Sequence, residues 1–509
     1  MSQLAILPIL VPLLAGTLLL LTRRWIPLDL RRGLNLSAAF LQLALAALLL
    51  SRVETGDILV HALGNWPAPY GIVLVADRLA AWMLLITAAL ACFALLFAVA
   101  KGTDRGSRHF HPLFQLQLFG LNGAFLTGDL FNLFVFFEIL LLASYGLLLH
   151  GGGAERVRAG LHFVALNLVG STLFLFAAGT LYGTLGTLNM ADLAVAVSRV
   201  SEENLGPVRV GGLLLFGVFA LKTALFPLHL WLPTTYAATS AAVAALFAIM
   251  TKVGAYCLLR VGTLVFGPDA GPLAGLYADW LLPLAVATLI LGSLGALAAT
   301  RLRTQVGYLV LVSVGLLLTA LGLSTRSGMG AGLYYLAHTT FATAALFLIA
   351  ELIANGRGQL SDRLDPGPVI PLAGWLGGLF FVSGLLMTGL PPLSGFVGKL
   401  AVLRATLETP IWPWLTAAIL GSSLLGIVAV VRSGSLLFLR AEGRAEDPPP
   451  VSAPLSNILP ILALMGICLA LTVWAEPVLK LMTEVGEQLL RPGDYIQAVL
   501  APNAGRASP

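Results

Sequence analysis

Six ionisable side chains stand in stretches that are otherwise apolar: Glu138, Lys222, His229, Lys252, His338 and Lys399. A charge at the centre of a membrane-spanning helix costs about 2.5–3.5 kcal/mol on insertion scales, so such residues mark ion or proton paths by default. Carboxylates, amines and imidazoles all take up and release protons. Glu138 sits midway through TGDLFNLFVFFEILLLASYG, and Lys222 near the end of GGLLLFGVFALKTALFP. Lys222 is the expected partner of Glu138. The two form either a static buried ion pair or a pair that trades a proton as the carboxylate moves nearer or farther. His229, just beyond Pro227, has an ordinary pKa of about 6.5; it suits a proton relay at cellular pH, or a neutral cap on the carbonyls of a broken helix. Lys252, in FAIMTKVGAYCLL, lies too deep to snorkel easily, whereas Arg260 can reach an interface. His338, in YYLAHTTFATAALFL, is followed by Thr339, Thr340 and Thr343. A histidine among hydroxyls suggests a file of ordered water or, in the plainer reading, helix–helix hydrogen bonds. Lys399 either closes the series or snorkels.

The elements that hold these groups are unusual. In GGLLLFGVFALKTALFPLHLWLPTTY, residues 211–236, an apolar helix runs into Lys222 and is then broken at Pro227 and Pro233. Proline removes a backbone donor and interrupts a helix, and broken helices at membrane depth survive only inside protein or beside a water-filled cavity. The same pattern returns in FVSGLLMTGLPPLSGFVGKLAVL, where Pro391 and Pro392 interrupt the chain ahead of Lys399. Counting apolar runs, each break falls on the fourth helix of a five-helix block, helices 4–8 and 9–13. Five is odd, so the two blocks have inverted topology, an arrangement found around ion sites at the bilayer midplane of transporters. Other charges have simpler explanations. Asp129 suits a helix N-cap, Asp77 and Arg78 a local pair or subunit contact, and Glu351 a solvated helix end. Gly151–Gly153 is loop material with no phosphate-loop lysine after it.

Composition agrees with the placement in lipid. The 509 residues are 58% hydrophobic and only 10% charged, with mean hydropathy +0.93, whereas a soluble domain is about 25% charged. The expectation is an all-α membrane protein of about 14 transmembrane helices, each needing about 20 apolar residues. Four parts are expected: helices 1–3 in 1–110, the first repeat in 111–265, the second in 266–440, and a last helix with an interfacial tail in 441–509. Asn189–Glu203 and the segment after Glu476 read as amphipathic helices along an interface, and Pro502–Pro509 as a disordered end. The net charge of +5 is spread through loops and points to orientation, not nucleic acid. Arg23, Arg24, Arg31, Arg32, Lys101, Arg105, Arg108, Arg156, Arg158, Arg301, Arg303, Arg357, Arg363, Arg440 and Arg444 all fall on one side, which the positive-inside rule makes cytoplasmic, with both termini outside. Cys92, Cys257 and Cys468 lie in apolar runs without CxxC spacing, so no disulfide framework or metal site is expected. No haem, flavin or iron–sulfur motif is present, and no cofactor is expected.

The elements TGDLFNLFVFFE, LKTALFPLHLWLP, TKVGAY, LAHTT and GLPPLSGFVGK, in this order and spacing, resemble those of the antiporter-like subunits of respiratory complex I and its relatives, over nearly the whole chain. Within that superfamily the chain most resembles the D subunits of the Mrp-type (Pha or Mnh) multisubunit cation/proton antiporters. GDLFNLFVFFE followed by LLASYGLLLHG is typical of those subunits, as is lysine at 399. The resemblance implies fourteen helices with inverted five-helix repeats. It implies proton movement along Glu138, Lys222, Lys252, His338 and Lys399. It also implies exchange of sodium or potassium for protons, in a bacterial inner membrane, within a complex that contains six other membrane subunits (A, B, C, E, F and G). One position departs from the pattern: Ser313 stands where relatives often carry histidine or glutamine. Two other functions fit the same residues less fully, a proton-pumping arm of a complex I-like or membrane-hydrogenase enzyme and a non-conducting scaffold.

Overall fold

The computed structural model describes residues 2–440 and 454–501. The loop charge Arg444 and the tail Pro502–Pro509 lie outside the described residues. The chain is mostly helical. In order the helices are α1 (Leu7–Thr22), α2 (Leu28–Val53), α3 (Arg78–Lys101), α4 (Phe110–Leu126), α5 (Leu130–Leu148), α6 (Ala154–Leu185), the short α7 (Met190–Ser198) and α8 (Glu202–Thr223). There follow α9 (Trp231–Ala238), α10 (Ala241–Phe247), α11 (Met250–Leu264), α12 (Ala278–Ala298), α13 (Leu302–Gly322) and α14 (Arg326–Gly356). The chain closes with α15 (Ala373–Thr388), α16 (Ser394–Thr406), α17 (Trp412–Gly434), α18 (Leu455–Val473), α19 (Ala475–Leu489) and α20 (Pro492–Leu500). Among the described residues, twelve helices are long and apolar enough to cross a membrane. The 17-residue α4 and 16-residue α15 are shorter.

The all-α expectation omits one hairpin. Strand β1 (Leu59–Ala62) pairs antiparallel with β2 (Val73–Ala76), Leu59 opposite Ala76. Val60, Val73 and Val75 favour a pleated surface, and the intervening GNWPAPYG is rich in turn formers.

Two interfacial expectations are also modified. The apolar face of α7, with Met190, Leu193 and Val197, is buried, and α7 packs against α20. In α19, Met482, Val485 and Leu489 are buried against α14. The C-terminal amphipathic helix is therefore a packed layer, tied down by Arg326–Glu487 at 2.5 Å and Arg78–Glu484 at 3.4 Å.

The middle of the molecule is α14. It touches α3, α10, α13, α15, α16, α18 and α19 and is buried along nearly its whole length. The segment formed by α10 and α11 is buried throughout. These helices see protein on every side, so polar groups on them face neighbouring helices and not lipid.

Candidate functional site

Both helix breaks are built the same way. The first half-helix, α8, ends with Ala224 in the left-handed conformation (φ +61°). The Leu225 N–H then bonds to the Ala220 carbonyl at 2.9 Å. In the second break, Gly389 takes the left-handed position (φ +71°) after α15, and the Leu390 N–H bonds to Leu385 O at 3.1 Å. This six-to-one closure satisfies carbonyls that a helix end would leave bare. The backbone groups beyond it find side chains. The Phe226 N–H donates to Thr288 Oγ1 of α12 at 2.8 Å, and Trp231 Nε1 to the Leu221 carbonyl at 3.2 Å.

Glu138 and Lys222 do not form the direct ion pair expected of them. Ser171 donates a short hydrogen bond to Glu138, and Lys222 Nζ donates to Asn167 Oδ1 at 2.9 Å. Asn167 and Ser171 are four residues apart, on one face of α6. The packing order explains the difference: α6 touches both α5 and α8, so its polar pair lies between carboxylate and amine. Glu138 still acts electrostatically on Lys222. Lys222 is buried (7% exposed), its ammonium 5.6 Å from the centre of the Phe137 ring. A cavity of about 10 Å³ lies against Lys222, Asn167, Phe163 and Trp231, near the lower limit for a single water. Glu138 itself is half-buried, on a helix face that also carries the exposed Phe131, Val135 and Leu142.

Lys252 is fully buried and its Nζ has no protein hydrogen-bond partner. It sits just past a break that the sequence does not announce, at Ala248–Ile249 between α10 and α11, with no proline or glycine to mark it. The Tyr236 hydroxyl caps the exposed end there by donating to the Phe247 carbonyl at 2.7 Å. Gly254 brings α11 against the end of α8: a Cβ there would meet Thr223 Oγ1 at 2.4 Å and the Lys222 backbone at 2.9 Å. His229 lies in the first break with its ring against Phe226, 5.8 Å between centres, and its Nδ1 has no protein partner. It shares no hydrogen bond with Lys222 or Lys252.

His338 is held at both ring nitrogens, Nδ1 by Ser394 Oγ at 2.9 Å and Nε2 by the Leu386 carbonyl at 3.2 Å. A carbonyl only accepts, so Nε2 carries the proton and Nδ1 accepts from the serine. Lys252 and Lys399 are both near enough for their charges to act on this ring. Lys399 Nζ donates to the Thr388 carbonyl at 2.5 Å and to Ser423 Oγ of α17 at 2.7 Å. Its partners are the C-terminus of α15 and a hydroxyl; a lysine there is also favoured by the helix dipole.

The threonines after His338 meet mostly their own helix and a neighbouring side chain. The Thr340 hydroxyl turns back to the Leu336 carbonyl at 2.7 Å, Thr343 reaches Met387 Sδ at 3.7 Å, and Thr339 has no protein partner. Ser313, the departing position, is approached instead by the Tyr335 hydroxyl at 3.5 Å, one turn before His338 on α14.

Three peripheral expectations change as well. Arg260 does not snorkel: it makes a two-pronged pair with Asp77 at 2.6 and 2.7 Å, under the Tyr256 and Tyr495 rings. Asp77, which also caps α3 through the Ala80 N–H, is thus a long-range partner and not a local one. Glu351 is not free in solvent but pairs with Arg303 at 2.5 Å. Asp129 caps α5 through the Asn132 N–H at 2.7 Å, as its position suggested. Asn167, Ser171, Ser394 and Ser423 were missed. For the first two the signal was available as two polar residues one turn apart in an otherwise apolar run.

Fold and site together define a polytopic helical membrane protein in which buried ionisable groups are seated at interrupted helices. The chain belongs to the membrane family described as NADH:quinone oxidoreductase/Mrp antiporter, whose model matches residues 127–426. It is 40% identical to the D subunit of a probable K(+)/H(+) antiporter of Rhizobium meliloti (strain 1021), over 99% of each chain. It is 36% identical to the D subunit of the Na(+)/H(+) antiporter of Alkalihalophilus pseudofirmus, over 98% of this chain and 100% of that one. Its fold matches a chain in the Mrp complex from Dietzia sp. DQ12-45-1b with TM-score 0.85 and 29% identity, over 98% of this chain and 99% of that one.

Proposed function

We propose that this chain is the proton-translocating D subunit of an Mrp-type multisubunit antiporter, which exchanges sodium or potassium for protons. Protons pass along a series formed by Glu138, Lys222, Lys252, His338 and Lys399, with His229 at the edge of the first break. The observation that carries this reading is Lys252. A fully buried ammonium with no protein partner is sustained only by water or by giving up its proton. Two residues on, Gly254 packs its helix against the end of α8 at Lys222, and the charge of Lys252 reaches His338, which supports a place for it between the two.

In this reading, the twelve long spans together with α4 and the broken α15–α16 make fourteen crossings. Helices 4–8 and 9–13 are inverted repeats, in parts bounded near residues 110, 265 and 440. The protein resides in a bacterial inner membrane with both termini outside, and it works with the A, B, C, E, F and G subunits. The test is exchange in membrane vesicles: Lys222→Ala or Glu138→Ala abolishes sodium- or potassium-driven proton movement while the complex still assembles. Unimpaired exchange removes the roles assigned here.

A further inference from the structure

A second polar series runs through the first helices and shares no residue with the one above. On α4, His111, Gln115 and Asn122 lie on one face, three turns from first to last. On α2, Arg32, Asn35 and Gln42 face them. Asp104 joins from the turn between α3 and α4. Asp104, His111, Asn35, Gln115, Gln42 and Asn122 are all buried, at 3% exposed or less.

The hydrogen bonds all point one way. Asn122 Nδ2 donates to Gln42 Oε1 at 3.2 Å, Gln42 Nε2 to Gln115 Oε1 at 2.9 Å, and Gln115 Nε2 to Asn35 Oδ1 at 2.6 Å. Asn35 Nδ2 then meets His111 Nδ1 at 2.7 Å, and His111 Nε2 meets Asp104 Oδ2 at 3.2 Å. The carboxylate can only accept, so His111 carries its proton on Nε2 and accepts at Nδ1. At the other end Asn122 Nδ2 also donates to the Pro8 carbonyl at 2.7 Å. That carbonyl has no donor in its own helix, because the residue four places on is Pro12.

This polarity leaves one consequence for a second proton on His111. Both ring nitrogens then donate, and Asn35 must present its oxygen. Turning that amide offers an N–H to Gln115, which must turn in its place, and the reversal runs through Gln42 to Asn122. The far end cannot absorb it: the Pro8 carbonyl loses its donor, as does the Asn35 backbone carbonyl now bonded by Gln115 at 3.3 Å. We propose that His111 is a proton-binding site separate from the central series, and that its protonation is transmitted to α1 at Pro8 by end-to-end reversal of this amide ladder. The distance covered from His111 to Asn122 is about 16 Å along α4.

The groups facing His111 are compatible with uptake. Burial alone would raise the Asp104 carboxyl, but hydrogen bonds from Arg32 and His111 outweigh it and hold the group below the usual carboxylate range. It therefore stays an anion beside the ring. Arg32 clasps Asp104 at 2.6 and 2.9 Å and also reaches Asp29 at 3.3 Å. From the end of α5, His150 lies across the Phe110 ring, with Arg156 bonded to its carbonyl.

Nitrogen-15 NMR on the complex in lipid vesicles, with labelled histidine, asparagine and glutamine side chains, tests this. The His111 and Asn122 signals are identified by their loss in His111→Gln and Asn122→Leu. As the pH is lowered, Nδ1 of His111 gains a proton and the Asn122 amide signal moves at the same midpoint. In Gln115→Met, His111 still titrates and Asn122 no longer follows. Gln42→Met cuts the next link with the same expected result, should the first variant fail to assemble. A His111 that keeps one proton throughout, an Asn122 signal that stays still in the unaltered chain, or one that still follows in the cut ladders overturns the proposal.

Discussion

The breaks at 224–230 and 389–393 share a backbone and differ in where the lysine comes from. Lys222 belongs to the half-helix before its break and is held by one side-chain amide, Asn167. Lys399 belongs to the half-helix after its break and reaches back to a main-chain carbonyl at 2.5 Å and a hydroxyl at 2.7 Å. Neither ammonium has a carboxylate within 4.0 Å among the described residues, but the Glu138 charge reaches the first, whereas no carboxylate acts on the second. Equivalent interruptions of the helix thus create two different sites. One is adjustable, through side chains that can turn; the other is fixed to the main chain. The left-handed residue differs too, alanine at 224 and glycine at 389.

If both sites lie in series on one path, removing either amine stops the flow. Lys222→Ala and Lys399→Ala are each expected to lower exchange by roughly a hundredfold or more, the scale of losing a proton-transfer group, in vesicles that retain the assembled complex. A normal rate in only one of them would show that the halves work separately.

The next contrast concerns the partners. Asn167→Leu takes away the one hydrogen bond of Lys222. A bond to a charged group is worth about 1.5–3 kcal/mol, so exchange should fall by roughly tenfold or more. Ser423→Ala leaves Lys399 its carbonyl and should cost roughly two- to threefold. Initial rates of proton movement in vesicles separate the two; equal losses would contradict the assignment of an adjustable and a fixed site.

The smallest effect concerns the left-handed residues, read as thermal stability of the purified complex. At Gly389 a Cβ would stand 2.9 Å from Lys399 Cε and Nζ. Gly389→Ala should therefore destabilise by about 1–2 kcal/mol from backbone strain and also displace the ammonium. Ala224→Gly relieves a comparable strain but removes a fully buried methyl, worth about 0.8 kcal/mol. Glycine also adds about 0.4–1 kcal/mol of freedom to the unfolded chain; with the methyl, this roughly offsets the relief, and little change in melting temperature is expected.

Much of this was legible before the structure. Prolines 227, 391 and 392 gave the breaks, because proline removes a helical donor whatever surrounds it. Buried charge in apolar runs gave the six ionisable residues. The unannounced break at Ala248–Ile249 was not legible: AAVAALFAIMTK contains no helix breaker, and the interruption is sustained by Tyr236 from another segment. Pairings across long separations were likewise hidden. Asp77 and Arg260 are 183 residues apart, and nothing local marks them as partners. The Glu138–Lys222 pair failed for a related reason: α6, packed against both helices, offers each group a partner of its own, Ser171 and Asn167. The ladder of Asn35, Gln42, Gln115 and Asn122 shows as a polar face on each of two helices, but its direction is set only where those faces meet Asp104.

The most direct test is the environment of Lys252 Nζ in an experimental map of the assembled complex fine enough to show water. If protons cross through both halves, ordered water bonds to this ammonium and links it to His338 on one side and to the Lys222 cavity on the other. Density showing Lys252 enclosed by side-chain carbon alone, with no water between it and either neighbour, would contradict the account.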